Sequence, residues 1–310
     1  MGTMVDFIGS GNFRLLKEPL EKYRRAINRS NDYLVDPEWV HLVLQRFANN
    51  AEFGLCYSRR GKCRGFLVFK PGKRHLYVSM YFALRGDDRL SVIRSLFMRL
   101  KEIFPAKVIL VGEIAPDVSF KSQLSIFENL EFKIMERLKM QLRSKEVKCD
   151  YIRPEGFVFR KYSPKFKHLL PKLDERAYQG QPDEIFMKVF ADVGDLAPAL
   201  RLVEEQKSLF EDRLSTFAFH NQELAGAIYC TKSGRTLGIA NIAIDPKYQG
   251  HGLGKGLLSK VVTAMEIKGY HKCELLVSKE NSKAVVLYKK IGFKLKRYCP
   301  IFVYRTGQGV

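Results

Sequence analysis

Apolar positions along this chain recur with two alternating periods, one helical and one strand-like. From Gly11 to Arg29, Phe13, Leu16, Leu20, Tyr23 and Ile27 follow helical spacing with charges between them. Asp36-Pro37 opens a second expected helix, with proline at its first position and Trp39, Val40, Val43, Leu44 and Phe47 as its buried stripe. Residues 53–58, 65–70 and 75–84 read as strands joined by turns at Arg60-Gly61-Lys62 and Pro71-Gly72-Lys73. Asp88 caps an expected helix that ends near Ile103. A buried strand at 107–111, a helix at 122–130, a strand at 132–142, a loop at 143–155 and a strand at 157–162 complete the first half.

Residues 164–183 contain Pro164, Pro171 and Pro182 among mixed charges and are expected to be a linker. The pattern then restarts. A helix is expected at 195–210, strands at 215–220, 225–231 and 235–244, and a helix at 253–267 with Leu257, Leu258, Val261, Val262 and Met265 facing inward. Gly269 fits a left-handed C-cap. A strand at 273–277, a helix at 281–290 stopped by Gly292, and a strand pair at 293–297 and 302–305 follow. Both halves thus share one order of elements, an internal repeat of domain size. Phe127-Glu128-Asn129-Leu130-Glu131-Phe132 answers Tyr288-Lys289-Lys290-Ile291-Gly292-Phe293, and Phe157-Val158-Phe159-Arg160 answers Phe302-Val303-Tyr304-Arg305. The expected domains are 1–163 and 184–310, joined by 164–183, each an α+β sheet flanked by helices.

One stretch carries chemistry that pattern alone does not explain. The strand Ile239-Ala240-Asn241-Ile242-Ala243-Ile244 is broken by Asp245-Pro246, because proline donates no ladder hydrogen bond. Gln249-Gly250-His251-Gly252-Leu253-Gly254 then runs into a helix, with Lys255 adding a cation. Glycines let the backbone approach a ligand, and a helix N-terminus offers unpaired N–H groups and a positive dipole end. A phosphate-bearing cofactor is expected there. The stretch is neither the dinucleotide-binding fingerprint nor a Walker loop. His251 is expected to act through its backbone.

Composition narrows the setting. The chain has 310 residues, 46% of them hydrophobic, enough for two cores. Its six cysteines form no CxxC or CxxH pair, so zinc and disulfide chemistry are not expected and a reducing, cytoplasmic compartment is. No charged leader precedes an apolar core, Asp6 stands where a myristoylation signal needs Ser or Thr, and apolar runs such as 108–111 are too short to cross a bilayer. A net charge of +20 favours an anionic partner. The basic residues are interspersed, however, without an RNP, zinc-finger or basic-zipper pattern, so nucleic acid is not the expected main ligand.

Ile242-Ala243-Ile244-Asp245-Pro246 with Gln249-Gly250-His251-Gly252-Leu253-Gly254 resembles motif A of the GNAT superfamily of N-acetyltransferases. Asn281, Ala284 and Leu287-Tyr288-Lys289-Lys290-Ile291-Gly292-Phe293 resemble its second signature, N-x-x-A-x-x-x-Y-x-x-x-G-F. The resemblance spans about 184–310 and implies two tandem GNAT-like domains, each with a mixed, mostly antiparallel twisted sheet. It implies acetyl transfer from acetyl-CoA to a small-molecule or peptide amine by direct attack in a ternary complex, without a metal. Ile242, Ala243 and Ile244 would pair with the pantetheine arm, and Gln249, Gly250, His251, Gly252, Leu253, Gly254 and Lys255 would hold the pyrophosphate. Asn281 would contact the pantetheine or the backbone beside it, and Tyr288 would also protonate the departing thiolate. Asn281 equally fits a plain helix N-cap, and Tyr288 a core-packing tyrosine. The general base stays open. Asn241 cannot serve, and Glu274, Glu204 and Glu205 are candidates that read equally as solvated charges. The first half departs from the pattern, with Ala83-Leu84-Arg85-Gly86-Asp87-Asp88-Arg89 in place of the loop and Phe127 in place of the tyrosine. It is expected to have lost CoA binding and to cover the acceptor cleft or stabilise the second domain. The competing reading is a catalytically inactive CoA-binding or nucleic-acid-associated module.

Overall fold

The computed structural model describes residues 3–30, 35, 37–86, 88–112, 115–193 and 210–305. The expected helix at 195–210, with Glu204 and Glu205, lies outside these residues except for Phe210, which forms an isolated bridge to Thr231. Asp36 and Asp87 lie outside them too.

The chain forms two compact units at boundaries other than those expected: Met1–Met135 with Pro300–Val310, and Glu136–Cys299. In the first unit the described strands are β1 (Thr3–Ile8), β2 (Phe53–Arg59), β3 (Lys62–Pro71), β4 (His75–Ala83), β5 (Val108–Val111), β6 (Lys133–Met135) and β14 (Ile301–Tyr304). They lie in the order β1-β2-β3-β4-β5-β14-β6, antiparallel except for the parallel pair β4–β5. Its helices are α1 (Lys17–Ser30), α2 (Glu38–Ala48), α3 (Arg89–Ile103) and α4 (Phe120–Asn129). Alternation sets the two faces. Phe66 and Val68 pack with α1 and α2, while Leu67 and Phe69 pack with α3 and α4.

The second unit holds β7 (Arg137–Arg143), β8 (Val158–Lys161), β9 (Thr216–His220), β10 (Glu223–Ser233), β11 (Thr236–Ile244), β12 (Lys272–Ser278) and β13 (Lys294–Tyr298). Their order is β8-β9-β10-β11-β12-β7-β13, again with one parallel pair, β11–β12. The described helices are α5 (Leu170–Tyr178), α6 (Glu184–Asp192), α7 (Leu253–Ala264) and α8 (Ser282–Ile291). One sheet face meets α7 and α8 and the other meets α5.

The two sheets match position for position, which supports the internal repeat and accounts for the changed boundaries. The sixth strand of each comes from the other half of the sequence: β14 lies between β5 and β6, and β7 between β12 and β13. The single strand expected at 132–142 is therefore two strands, β6 and β7, in different sheets. A local hydrophobic pattern carries no record of which sheet a strand joins. β8, expected to close the first half, is the edge strand beside β9.

The segment 164–183, expected as a linker, belongs to the second unit. Pro164 and Pro171 sit in the first turns of a 3-10 turn at Pro164–Leu169 and of α5, where a missing N–H costs nothing. They start helical structure rather than prevent it. Leu170 and Leu173 of α5 are fully buried against Phe217, Tyr229 and Ala243.

The exchanged strand is a core element. Phe302 of β14 is fully buried and stacks on Phe127 at 3.9 Å between ring centroids. Phe302→Ala is expected to destabilise the first unit by about 3–5 kcal/mol, the usual cost of deleting a buried phenylalanine. Urea unfolding followed by far-UV circular dichroism measures it, and a loss under 1 kcal/mol would show that β14 is dispensable.

Candidate active site

The site is built where β11 changes partner. Its parallel pairing with β12 runs from Thr236↔Lys272 to Ile239↔Leu275 and stops. On its other side β11 slips by one residue against β10. Cys230 faces Ile239 and Tyr229 faces Asn241, leaving Ala240 as a bulge. Beyond the bulge, 241–244 stay paired with β10 alone, so their edge toward β12 is open. Ile242 and Ile244 point to the α7–α8 side, whereas Asn241 and Ala243 point to the α5 side.

The glycine loop joins this open strand to α7. Asp245 caps the short turn Pro246–Tyr248 by accepting from Lys247 N at 3.0 Å, and its other oxygen accepts from Arg176 Nε at 2.7 Å. Gly252 is the N-cap of α7 with φ +76°, a backbone conformation that suits glycine, and no side chain caps the helix. The first N–H groups of α7 are thus left for a ligand. Gln249, Gly250, His251 and Lys255 are exposed, and Leu253 is buried as the helix anchor. His251 Nδ1 lies 3.0 Å from the carbonyl oxygen of Gln249, so its ring braces the loop.

A groove of about 530 Å³ runs between α7 and α8, lined by Lys148, Lys255, Lys283, Lys290, Leu287 and Ile152 among others. Residues 148–152, expected only as a loop, form one of its walls. Ile152 N donates to Ser259 Oγ at 3.4 Å. A Cβ on Gly256 would meet Pro154 Cδ at 2.7 Å, so glycine is what lets this segment lie against α7. Four lysines against one carboxylate, Asp150, give the groove a net positive lining that favours an anion.

Asn281 caps α8, its Oδ1 accepting from Ala284 N at 3.2 Å, as the cap reading required. Tyr288 is 5% exposed, packs against Phe293, and makes no side-chain hydrogen bond to a described residue. Burial first, then the charge of Asp183, push its phenol above the ordinary tyrosine value, while Arg137 opposes them. It therefore stays protonated at neutral pH.

Among the glutamates offered as a base, Glu274 is unsuitable. Lys139 Nζ lies 2.6 Å from it, Lys296 Nζ 3.3 Å, Lys272 Nζ 3.8 Å, and Gln141 Nε2 donates to it at 2.7 Å. Burial pushes its carboxyl up, but the hydrogen bond and charge of Lys139, with Lys296, outweigh burial and hold it below the ordinary value. A carboxylate so stabilised is a weak base.

A carboxylate absent from the sequence-based candidates stands on α5 instead. Asp174 is 2% exposed; its Oδ1 accepts from Asn241 Nδ2 at 2.9 Å. Tyr178, one turn along α5, donates its hydroxyl to Asn241 Oδ1. Asp174 Oδ2 and the Tyr229 hydroxyl are buried without a hydrogen-bond partner among the described residues. Nearer β12, Asp183 accepts from Ser278 Oγ and pairs with Arg137 at 3.5 Å. No sequence motif marks Asp174. An aspartate among prolines and charges reads as surface until α5 is laid on the sheet.

The first unit repeats the bulge without the site. β4 pairs with β5 as far as Val78↔Val111, and Ser79 is the extra residue. Past it, the buried Tyr81 hydroxyl donates to Gln123 Oε1, and fully buried Gln123 also bonds the backbone of Ala115 and Val118. Asp88 accepts from Leu90 N and Ser91 N at 3.1 and 3.3 Å, so a carboxylate already caps the helix that would face a phosphate.

Comparison with known proteins gives a family match within the second unit. The family model described as "Acetyltransferase (GNAT) family" matches residues 183–293. The ribosomal protein bS18-alanine N-acetyltransferase of Escherichia coli K12 is 31% identical over 108 residues, which cover 31% of this chain and 73% of that protein. This chain belongs to the GNAT family. It is an N-acetyltransferase, which moves an acetyl group from acetyl-CoA to an amine. The thialysine N-epsilon-acetyltransferase of Sus scrofa is 38% identical over 65 residues, 21% of this chain and 38% of that one. Two solved structures share the fold across both units. A GCN5-related N-acetyltransferase from Sphaerobacter thermophilus has a TM-score of 0.65 at 13% identity, covering 99% of this chain and 97% of that one. A tandem GNAT protein from the clavulanic acid biosynthesis pathway has 0.63 at 14% identity, covering 99% and 100%. Among the described residues, no helix is long and apolar enough to cross a membrane, and no group of three or more His, Cys, Asp or Glu is placed to hold a metal.

Burial shifts Asp174 up to about 7, against the opposing hydrogen bond from Asn241. Its unfolded value is about 3.9. Its contribution to stability is therefore fully present below about pH 4 and lost as pH rises through about 7. Asp174→Asn removes that loss. The variant's stability relative to the natural protein is expected to rise between pH 4.5 and pH 8 by up to a few kcal/mol, at about 1.4 kcal/mol per pKa unit. Thermal unfolding at the two pH values checks it, and a difference independent of pH would show an ordinary carboxylate.

Proposed function

We propose that the open edge of β11, the glycine loop and the lysine groove bind acetyl-CoA in the second unit, and that the acetyl group passes from there to a primary amine. The observation that carries this reading is the bulge at Ala240, which frees 241–244 from β12 beside an uncapped helix N-terminus. Acetyl-CoA supplies an activated thioester and several phosphate charges. Backbone groups of Ile242, Ala243 and Ile244 would pair with its amide-bearing arm. The N–H groups of 250–254, with the Gln249 side chain and Lys255, would hold the pyrophosphate, and Lys148, Lys283 and Lys290 would neutralise further phosphate. Asn281 fixes the start of α8 and so the placement of Tyr288, whose protonated phenol would hydrogen-bond or protonate the departing sulfur. Backbone N–H groups at the bulge would polarise the thioester carbonyl.

The acceptor would approach from the α5 side, where Asn241, Tyr178, Asp174, Ser278 and Asp183 gather. The relatives named above act on an alanine of a ribosomal protein and on thialysine. We infer an amine of that size range for this chain: a peptide N-terminus or a small amino compound. A cytoplasmic setting and a reaction without a metal are part of the same reading.

Calorimetry should show acetyl-CoA binding with a Kd well below millimolar, and its absence would remove the reading. Lys283→Glu and Lys290→Glu should each weaken binding roughly five-fold at low salt, since an exposed ion pair is worth about 1 kcal/mol, and the effect should shrink as salt rises. Tyr288→Phe should lower kcat by about 10²-fold with acetyl-CoA affinity unchanged. Thiol release across a panel containing an alanine-terminated peptide, thialysine and a polyamine identifies the acceptor class, and unchanged turnover in the Phe variant would remove the proton-donor role.

A further inference from the structure

An amine that is protonated in water must lose a proton before it can attack a thioester, and the glutamate on β12 is too well neutralised to take it. We propose that Asp174 receives that proton, with Tyr178, Asn241 and Tyr229 forming the rest of the polar pocket that recognises the incoming ammonium group. The inference rests on the acetyltransferase reading above.

Placement comes first. Asp174 and Tyr178 are four residues apart on α5 and so share the face laid against the sheet. Asn241 and Tyr229 are register partners on β11 and β10, on the sheet face that meets α5. Asn241 is the first residue after the bulge, directly beside the open strand edge. Its amide is used on both sides, accepting from Tyr178 and donating to Asp174 Oδ1. That leaves Asp174 Oδ2 and the Tyr229 hydroxyl as two buried oxygens with no partner among the described residues. A buried carboxylate oxygen left unpaired is costly. A carboxylate oxygen beside a phenol oxygen suits one kind of guest, a small cationic N–H donor.

Other carboxylates on this side are committed elsewhere. Asp183 pairs with Arg137 and accepts from Ser278, and Asp245 pairs with Arg176 and caps its turn. The titratable groups facing Asp174 are Tyr178 on α5 and Tyr229 on β10, and Tyr162, just past β8, faces Tyr229. Asp183, Arg137 and Tyr288 lie beyond Tyr178. Burial, then the charge of Asp174, push the Tyr178 phenol well above its ordinary value, so it serves as a neutral donor and not as a base.

The step balances with groups already named. One proton passes from the ammonium nitrogen to the Asp174 carboxylate, leaving a neutral amine. The nitrogen lone pair forms the C–N bond to the acetyl carbon, and the C–S bond breaks with its electrons going to sulfur. The second proton lost by nitrogen equals the one gained by sulfur. Asp174 then returns its proton to water.

Asp174→Asn is compared with the natural protein and with Glu274→Gln over pH 5.5 to 9.5, using the alanine-terminated peptide and thialysine as acceptors. In Asp174→Asn, kcat/KM should fall at least about 10²-fold at pH 7.5, and the limb that rises through neutral pH should vanish. Acetyl-CoA affinity should be unchanged, and Glu274→Gln should behave as the natural protein does. Equal kcat/KM profiles for Asp174→Asn and the natural protein would overturn the assignment while leaving the acetyltransferase reading intact. Loss of acetyl-CoA binding by the natural protein would instead overturn the parent reading. Titration of carboxyl-¹³C aspartate decides the case without turnover. A signal missing from Asp174→Asn should titrate near neutrality, and a midpoint near 4 would overturn the proposal.

Discussion

A β ladder satisfies every backbone group it can reach, so a strand inside a sheet has no hydrogen bonds to offer a ligand. The bulge at Ala240 removes that obstacle. By adding one residue to β11 it keeps the strand paired with β10 and turns its other edge away from β12 just past Ile239. The rest of the site depends on this break. It leaves the β12-facing edge of 241–244 unpaired, and β11 runs on into the glycine loop and the N-terminus of α7. Strand alternation past the bulge sets Ile242 toward α7 and α8 and Asn241 toward α5.

The two units show the same bulge beside two different helix N-termini. The first unit has the same extra residue at the same place, Ser79 against Ala240, and the same parallel pair beside it. Its gap is filled from within by Tyr81 and Gln123, hydrogen-bonded to each other and to the neighbouring loop. Its helix is capped by Asp88, where the second unit has Gly252. A side chain that satisfies the donors of a helix N-terminus removes the reason for a phosphate to bind there. The fold is shared and the chemistry belongs to a handful of positions.

The proposed cofactor side of the second unit is readable from the sequence, because a phosphate cradle needs glycines at fixed places and these stand at alternate positions, Gly250, Gly252 and Gly254. Asn281 and Tyr288 were legible for a similar reason, being spaced along one helix. The proposed acceptor side is not. Asp174, Tyr178, Tyr229 and Asn241 meet only when α5 is laid on the sheet, and α5 begins at prolines that suggested a linker. The division into units was missed for a physical reason as well. Strand periodicity fixes which side chains face a core, but β7 and β14 could each complete either sheet by pattern alone.

The reciprocal placement of β7 and β14 also bears on how the protein is made. The ribosome delivers every strand of the first sheet by Met135 except the one that belongs between β5 and β6. At synthesis rates of about 5–20 residues per second, that gap stays open for on the order of 10–30 s, while the entire second unit is being produced. During that interval two strand edges in the first unit lack their partner and can pair with another chain. A nascent chain of this design therefore carries unpaired strand edges until residues 301–304 emerge, an exposure that a tandem of two self-contained domains would not have.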